Sequence, residues 1–198
     1  MYSFNRSSLF EDVNYDNYYW FENGFTADEL SDIEELTKTI EFQTANVGQH
    51  NAVTSDHRKS KIKWCPQTDS FKWVYDKLQN MIFEANEMMW KMNITHMREE
   101  IQYTEYYDNN SGGYEWHMDC GKGIQNQRKI SVTVQLSDPD EYEGGNLQFL
   151  ADDGKSYFAP RKRGTIVLFD SRAQHRVQKV KSGVRKSIVG WCVGPRFR

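Results

Sequence analysis

At 198 residues, 38% hydrophobic and with a formal net charge of −3, the chain is long enough to bury a substantial core. That charge gives no overall case for binding nucleic acid or an anionic membrane surface. No apolar run reaches membrane-spanning length, and the acidic, aromatic N-terminus lacks the order of a secretory leader.

Tyr15, Tyr18, Tyr19, Trp20, Phe21 and Phe25 predict an edge strand or a wrapping segment. Thr26-Ala27-Asp28-Glu29 is a capping box, and Leu30, Ile33, Leu36 and Ile40 give the helix that follows one apolar face. The polar stretch from Thr44 to His57 reads as loop, and Ser60 to Trp64 as a strand. A second helix starts at Asp69-Ser70 and runs to about Lys91, with Val74, Leu78, Met81, Ile82, Ala85 and Met89 at helical spacing.

After Asn93 the texture changes to short strands: Ile94 to Arg98, Ile101 to Tyr107, Glu115 to Asp119, Lys129 to Ser137, Asn146 to Leu150, Ser156 to Phe158, Thr165 to Phe169, His175 to Val180 and Arg185 to Val193. Turn residues punctuate them, among them Ser111-Gly112-Gly113, Gly144-Gly145, Asp152-Asp153-Gly154 and Ser182-Gly183. Two helices within about 26–92 and strands over about 93–195 predict a mainly β fold, a jelly roll (double-stranded β-helix) braced by helices. With no repeat or linker in view, residues 1–198 read as one domain. Cys65, Cys120 and Cys192 form no CxxC pair and no even framework, so they read as free thiols of a reducing compartment, the cytoplasm. The C-terminal segment from Arg161 is basic, either a solvated face balancing the acidic N-terminal half or a rim for an anionic partner.

The chemistry concentrates in Tyr114-Glu115-Trp116-His117-Met118-Asp119. Alternate side chains of a strand share a face, which would set His117 and Asp119 side by side. A second imidazole would complete a two-His-one-carboxylate set, which holds Fe(II) and leaves positions open for substrate and oxygen. His175, directly after an apolar strand, is the natural third ligand. An HxD pair alone is weak evidence, because a surface His and Asp on a loop would read the same way. Ten residues on, Arg185 shares a period-two face with Ser187, Val189 and Trp191. A permanently charged guanidinium on such a face needs an anion or water. The anion is either an acidic residue of the chain or a ligand carboxylate, to which Ser187 would add a hydrogen bond.

Taken together, these pieces resemble the Fe(II)- and 2-oxoglutarate-dependent dioxygenases, most of all the prolyl-4-hydroxylase-like branch with its small bacterial and bacteriophage members. The resemblance runs from about Gln102 to Pro195: Gln102-x3-Tyr106, His117-x-Asp119, Arg128-Lys129-Ile130-Ser131-Val132, Tyr142-Glu143-Gly144-Gly145-Asn146-Leu147, Gly164-x4-Phe169, His175-x-Val177 and Gly183-x-Arg185-x-Ser187. It implies Fe(II) on His117, Asp119 and His175, and 2-oxoglutarate paired with Arg185, with hydrogen bonds from Tyr106 and Ser187. It further implies O2 as the co-substrate, with ascorbate as an optional addition. The expected reaction is hydroxylation of an unactivated C–H bond on a peptide or protein, with succinate and CO2 released, in the cytoplasm (the host's, where phage-encoded).

Two positions depart from the prolyl-4-hydroxylase pattern. Arg185 stands where lysine is usual, which keeps cosubstrate binding, and Trp116 stands where proline commonly precedes the first ligand, which bears on the substrate. Arg58, Trp116, Tyr114 and Trp191 are candidates for a substrate groove, or else for core packing. A small-molecule hydroxylase, an alkylated-nucleobase demethylase and a non-catalytic jelly-roll module are the alternatives. The acidic stretch from Glu11 to Glu35 argues against the demethylase, and the His/Asp/His set with Arg185 argues against the non-catalytic module.

Overall fold

A computed structural model describes residues 18–44, 57–151 and 154–196, so Tyr15 and most of the loop expected from Thr44 to His57 lie outside the described residues. The chain opens with β1 (Tyr18–Phe21) and α1 (Ala27–Lys38), followed by β2 (Gln43–Thr44), β3 (Arg58–Lys59), β4 (Lys61–Cys65) and α2 (Asp69–Met89). Ten strands then follow: β5 (His96–Met97), β6 (Ile101–Tyr107), β7 (Gly113–His117), β8 (Arg128–Gln135), β9 (Tyr142–Gly144), β10 (Leu147–Leu150), β11 (Ser156–Phe158), β12 (Ile166–Asp170), β13 (His175–Val177) and β14 (Val180–Val193).

The helices form where sequence and capping agree. At the start of α1 the Thr26 hydroxyl accepts from the Glu29 amide at 3.2 Å while Glu29 accepts from the Thr26 amide at 2.8 Å. Two donors that a helix N-terminus would leave unpaired are thereby satisfied, which stabilises α1 by about 1 kcal/mol. No described helix is long and apolar enough to cross a membrane.

The strands assemble into the two facing sheets of a jelly roll. The larger runs β1-β12-β8-β14-β6-β4-β2, with β5 and β9 also paired to β14, and the smaller runs β11-β10-β13-β7-β3. The aromatic segment Tyr18–Phe21 is the edge strand expected, laid antiparallel along β12.

The large sheet is buried on both faces, and the two faces differ in chemistry. One carries Ile101, Tyr103, Ile130, Val132, Val134 and Ile188, which share a hydrophobic core with Ile33, Leu78 and Ile82 of the helices. Burial of such aliphatic side chains, about 1.5–3 kcal/mol each, ties the helices to the sheet. The opposite face bears Gln102, Thr104, Tyr106, Ser131, Thr133, Gln135, Arg185 and Ser187, all buried. Apolar and polar residues alternate along each strand because the pleat sends them to opposite sides. The polar face looks into the space between the sheets.

Three expectations need correction. The strand expected from His175 to Val180 stops at Val177, and β14 begins at Val180 and runs unbroken past Ser182-Gly183, which reads as a turn. Gly183 lets it do so: φ is +75°, in the left-handed region, and a Cβ there would collide with the Glu141 carbonyl. The early part of β14 thus pairs with β9, where only turn residues were expected. Gly183→Ala is expected to lower stability by about 1–3 kcal/mol, read as a lower urea midpoint at unchanged m-value. The third correction concerns Asp119: β7 ends at His117, so strand alternation does not position this carboxylate.

Candidate active site

A cavity of about 260 Å³ opens between the sheets, and His117, Asp119, His175, Tyr106, Ser187 and Arg185 all line it. His117 ends β7 and His175 begins the adjacent β13, directly opposite in the ladder, with ring centroids 4.2 Å apart. The Nδ1 of His117 lies 2.7 Å from the Glu115 carbonyl, and that of His175 lies 2.9 Å from the Ala173 carbonyl. A carbonyl can only accept, so each Nδ1 carries a proton, which leaves Nε2 as the ring atom turned toward the other two residues.

Asp119 closes the group from beyond the strand. Its Oδ1 lies 3.7 Å from His117 Nε2 and its Oδ2 lies 3.7 Å from His175 Nε2, too far for direct hydrogen bonds. One ligand atom from each of the three residues lies within 4.8 Å of the others. Two neighbours orient the aspartate. The Ser131 hydroxyl donates to Oδ2 at 2.7 Å, and Arg128 donates from Nη1 to the Asp119 backbone carbonyl at 3.3 Å. The Ser131 proton is committed to the carboxylate, so Ser171, 2.9 Å away, must donate to Ser131.

The electrostatics favour a cation. Burial, aided by the neighbouring His175, pushes His117 down to about 3, so the imidazole is neutral near pH 7. Burial by itself would raise Asp119, but His175, His117 and Arg128, together with the Ser131 hydrogen bond, bring it down to about 2. Two imidazoles and one carboxylate, largely buried and not hydrogen-bonded to one another, are a donor set suited to a first-row divalent metal.

Deeper in the same cavity, Arg185 is 2% exposed. Its Nη1 donates to Ser187 at 3.2 Å, its Nη2 to Gln135 at 3.1 Å, and its Cζ stands 5.6 Å from the centroid of the Tyr106 ring. These partners are neutral, Nε is buried without a partner, and no acid pairs with Arg185 among the described residues. An isolated buried charge is costly, so the site lacks an anion. Of the alternatives open for Arg185, no acidic residue among the described residues pairs with it, and its burial rules out a rim position.

Three of the four groove candidates meet here. Arg58 and Trp191 line the cavity, and so does Tyr114, whose ring stacks on His117 with centroids 3.5 Å apart. A bulge in the β7–β13 ladder puts Tyr114 and His117, three residues apart, on one side. Ordinary alternation turns Trp116, the neighbour of His117, the other way: its ring lies beneath Arg176 at 4.7 Å and does not line the cavity, against its expected place in the groove. Sequence reasoning missed Arg128, which lines the cavity, pairs with Glu99 and covers the Trp191 ring at 3.7 Å. It also missed Ser131 and Ser171. The available signal was the polar alternation Ser131, Thr133, Gln135 within an otherwise apolar strand.

Residues 101–193 match the family model described as the 2OG-Fe(II) oxygenase superfamily. A PKHD-type hydroxylase of Synechococcus sp. (strain CC9902) is 42% identical over 80 residues, covering 40% of this chain and 35% of that protein. Another, from Rippkaea orientalis (strain PCC 8801 / RF-1), is 27% identical over 172 residues, 84% of this chain and 76% of that one. The chain thus spans about a third of the former relative and three quarters of the latter. Among solved structures, a Pseudomonas putida prolyl-4-hydroxylase superposes with a TM-score of 0.73 at 17% identity, over 93% of this chain and 96% of that one. A Trichoplax adhaerens prolyl hydroxylase, solved in complex with a hypoxia inducible factor oxygen degradation domain peptide fragment, gives 0.76 at 17% identity, over 92% and 86%. These structural likenesses establish the shared fold.

Proposed function

We propose that the protein is an Fe(II)- and 2-oxoglutarate-dependent dioxygenase, a reading supported by the match of residues 101–193 to the 2OG-Fe(II) oxygenase superfamily model. In this reading it hydroxylates an unactivated C–H bond of a peptidyl prolyl substrate. One observation carries the reading: a buried three-donor cluster shares its cavity with a buried guanidinium that has no counter-charge among the described residues.

His117, Asp119 and His175 would hold the iron, and Arg185 would pair with the far carboxylate of 2-oxoglutarate. When bound, the iron and 2-oxoglutarate together activate O2 for hydroxylation, the 2-oxoglutarate leaving as succinate and CO2. The protein's own part is placement. Arg185 holds a spare Nε–H for the carboxylate, and Ser187 and Gln135 keep the guanidinium in one orientation. Tyr106, across the guanidinium, would offer its phenol to the same ligand. Leu147, Phe169, Val177 and Val189 line other parts of the cavity, keeping water away from these charges and strengthening their attraction. Arg58, Tyr114 and Trp191 are the proposed substrate contacts. The prolyl assignment draws its support from the names of the similar proteins and from the peptide in the Trichoplax neighbour.

Ser131 is a positioning residue in this scheme, because it engages Oδ2 of Asp119 and leaves Oδ1 to the metal. Ser131→Ala is expected to weaken divalent metal binding about ten- to a hundredfold, and Ser131→Thr to restore it. A titration with Mn(II), whose free fraction is read by electron paramagnetic resonance, checks both variants. The reading as a whole is tested by adding Fe(II) and 2-oxoglutarate to metal-free protein without oxygen. A visible charge-transfer band of the chelate is expected, and its absence from folded protein would overturn the assignment.

A further inference from the structure

Three arginines line the cavity, Arg58, Arg128 and Arg185, against two carboxylates, Asp119 and Glu99. Glu99 neutralises Arg128, accepting from Nε at 2.7 Å and from Nη2 as well. On the reading above, a dication and Arg185 together match the charge of Asp119 and the two carboxylates of 2-oxoglutarate. Arg58 is then left over as one uncompensated positive charge.

Arg58, partly buried, resembles Arg185 in having neutral partners. Its Nε donates to Ser60 at 2.9 Å, its Nη2 to Gln102 at 3.3 Å, and its Cζ lies 4.8 Å over the Tyr114 ring. All three partners are neutral, so they orient the guanidinium without cancelling its charge. No acid pairs with it among the described residues, and Nη1 has no hydrogen-bond partner there. In the same cavity Trp191 is 4% exposed, and its indole N–H is buried without an acceptor. Both groups are donors, and each calls for an acceptor that the described residues do not supply.

We infer that Arg58 is a specificity-determining residue that selects a substrate carrying a carboxylate close to the carbon that is hydroxylated. This inference rests on the dioxygenase reading, since that reading places the other charges. The carboxylate has two sources, an acidic side chain flanking the target residue in a peptide or the free carboxylate of the target residue itself. The cavity chemistry is the same for both, a fixed guanidinium edge facing an anion.

The test uses full-length protein loaded with Mn(II) in place of Fe(II) and with saturating 2-oxoglutarate, so that the Arg185 position is filled. Acetyl-glutamyl-proline amide is compared by calorimetry with its glutaminyl counterpart, and N-acetylproline with N-acetylproline amide. At least one carboxylate probe is expected to bind about ten- to a hundredfold more tightly than its neutral partner. Which pair shows the difference identifies the source of the carboxylate. Arg58→Gln should abolish the difference, and Arg58→Lys should keep part of it. Equal binding within both pairs, no binding by either carboxylate probe, or a preference that survives Arg58→Gln would overturn the inference. Uptake of Mn(II) and 2-oxoglutarate, recorded before any probe is added, reports separately on the dioxygenase reading.

Discussion

His175→Ala is expected to abolish the visible charge-transfer band and the turnover of 2-oxoglutarate while the protein stays folded. The imidazole is one of three donors, and metal sites with four protein ligands bind with about 10–16 kcal/mol, so one ligand contributes about 3 kcal/mol. Its loss corresponds to about a hundredfold or more in metal affinity. The ring also packs on Phe169, with centroids 4.6 Å apart, and beside Phe149 at 6.1 Å, so some stability is lost as well. Urea unfolding of the metal-free variant separates the two effects. A variant that unfolds near the wild-type midpoint yet shows no band places the defect in metal binding, whereas a retained band would remove His175 from the ligand set. His117→Ala should behave alike, with the added loss of the Tyr114 stack.

Arg185→Met is expected to separate cosubstrate binding from stability, with opposite signs. In the ligand-free protein the guanidinium is buried against neutral groups only, and such a charge destabilises the fold that contains it. Methionine keeps much of the length without the charge, so the melting temperature of the ligand-free variant should equal or exceed that of wild type. Wild type, in turn, should gain about 2.7 kcal/mol at 2-oxoglutarate concentrations a hundredfold above Kd. For a chain of this size that is about 5–11 °C in Tm. The variant should gain much less, because the guanidinium that would match the far carboxylate is gone. Thermal melts with and without 2-oxoglutarate, in the presence of Mn(II), measure both quantities. A clear fall in the ligand-free Tm would mean that Arg185 has a structural role that the neutral contacts do not reveal, and an undiminished 2-oxoglutarate shift would remove it from the cosubstrate site.

The helices and the candidate site residues were legible because each obeys a local rule. The Thr26 box began a helix where it stands, and the apolar spacing of Val74 to Met89 carried α2 through to Met89. His117-x-Asp119, His175 and the Arg185-x-Ser187 face could be singled out by residue type and order, and all of them line one cavity. The alternation Gln102, Thr104, Tyr106 and Ser131, Thr133, Gln135 already contained the polar inner face of the large sheet.

Other features were settled only in three dimensions. Asp119 sits beyond the end of β7 and is aimed by Ser131 and Arg128, 12 and 9 residues away, so its place beside the two histidines comes from these contacts and not from strand alternation. Tyr114 and Trp116, both candidates for the groove, part company on β7: a bulge brings Tyr114 onto His117, while Trp116 faces out to Arg176. The charge balance of the cavity was likewise hidden, because among the described residues Arg128 has an acid within reach while Arg58 and Arg185 have only amides, hydroxyls and aromatic faces. Periodicity and capping act over a few residues, so the sequence by itself determined the secondary structure, the jelly-roll class and the identity of the donor set. Bulges, buried hydrogen bonds and ion pairs join residues far apart in the chain, so the tertiary structure alone decided which way each side chain faces and which charges remain unmatched.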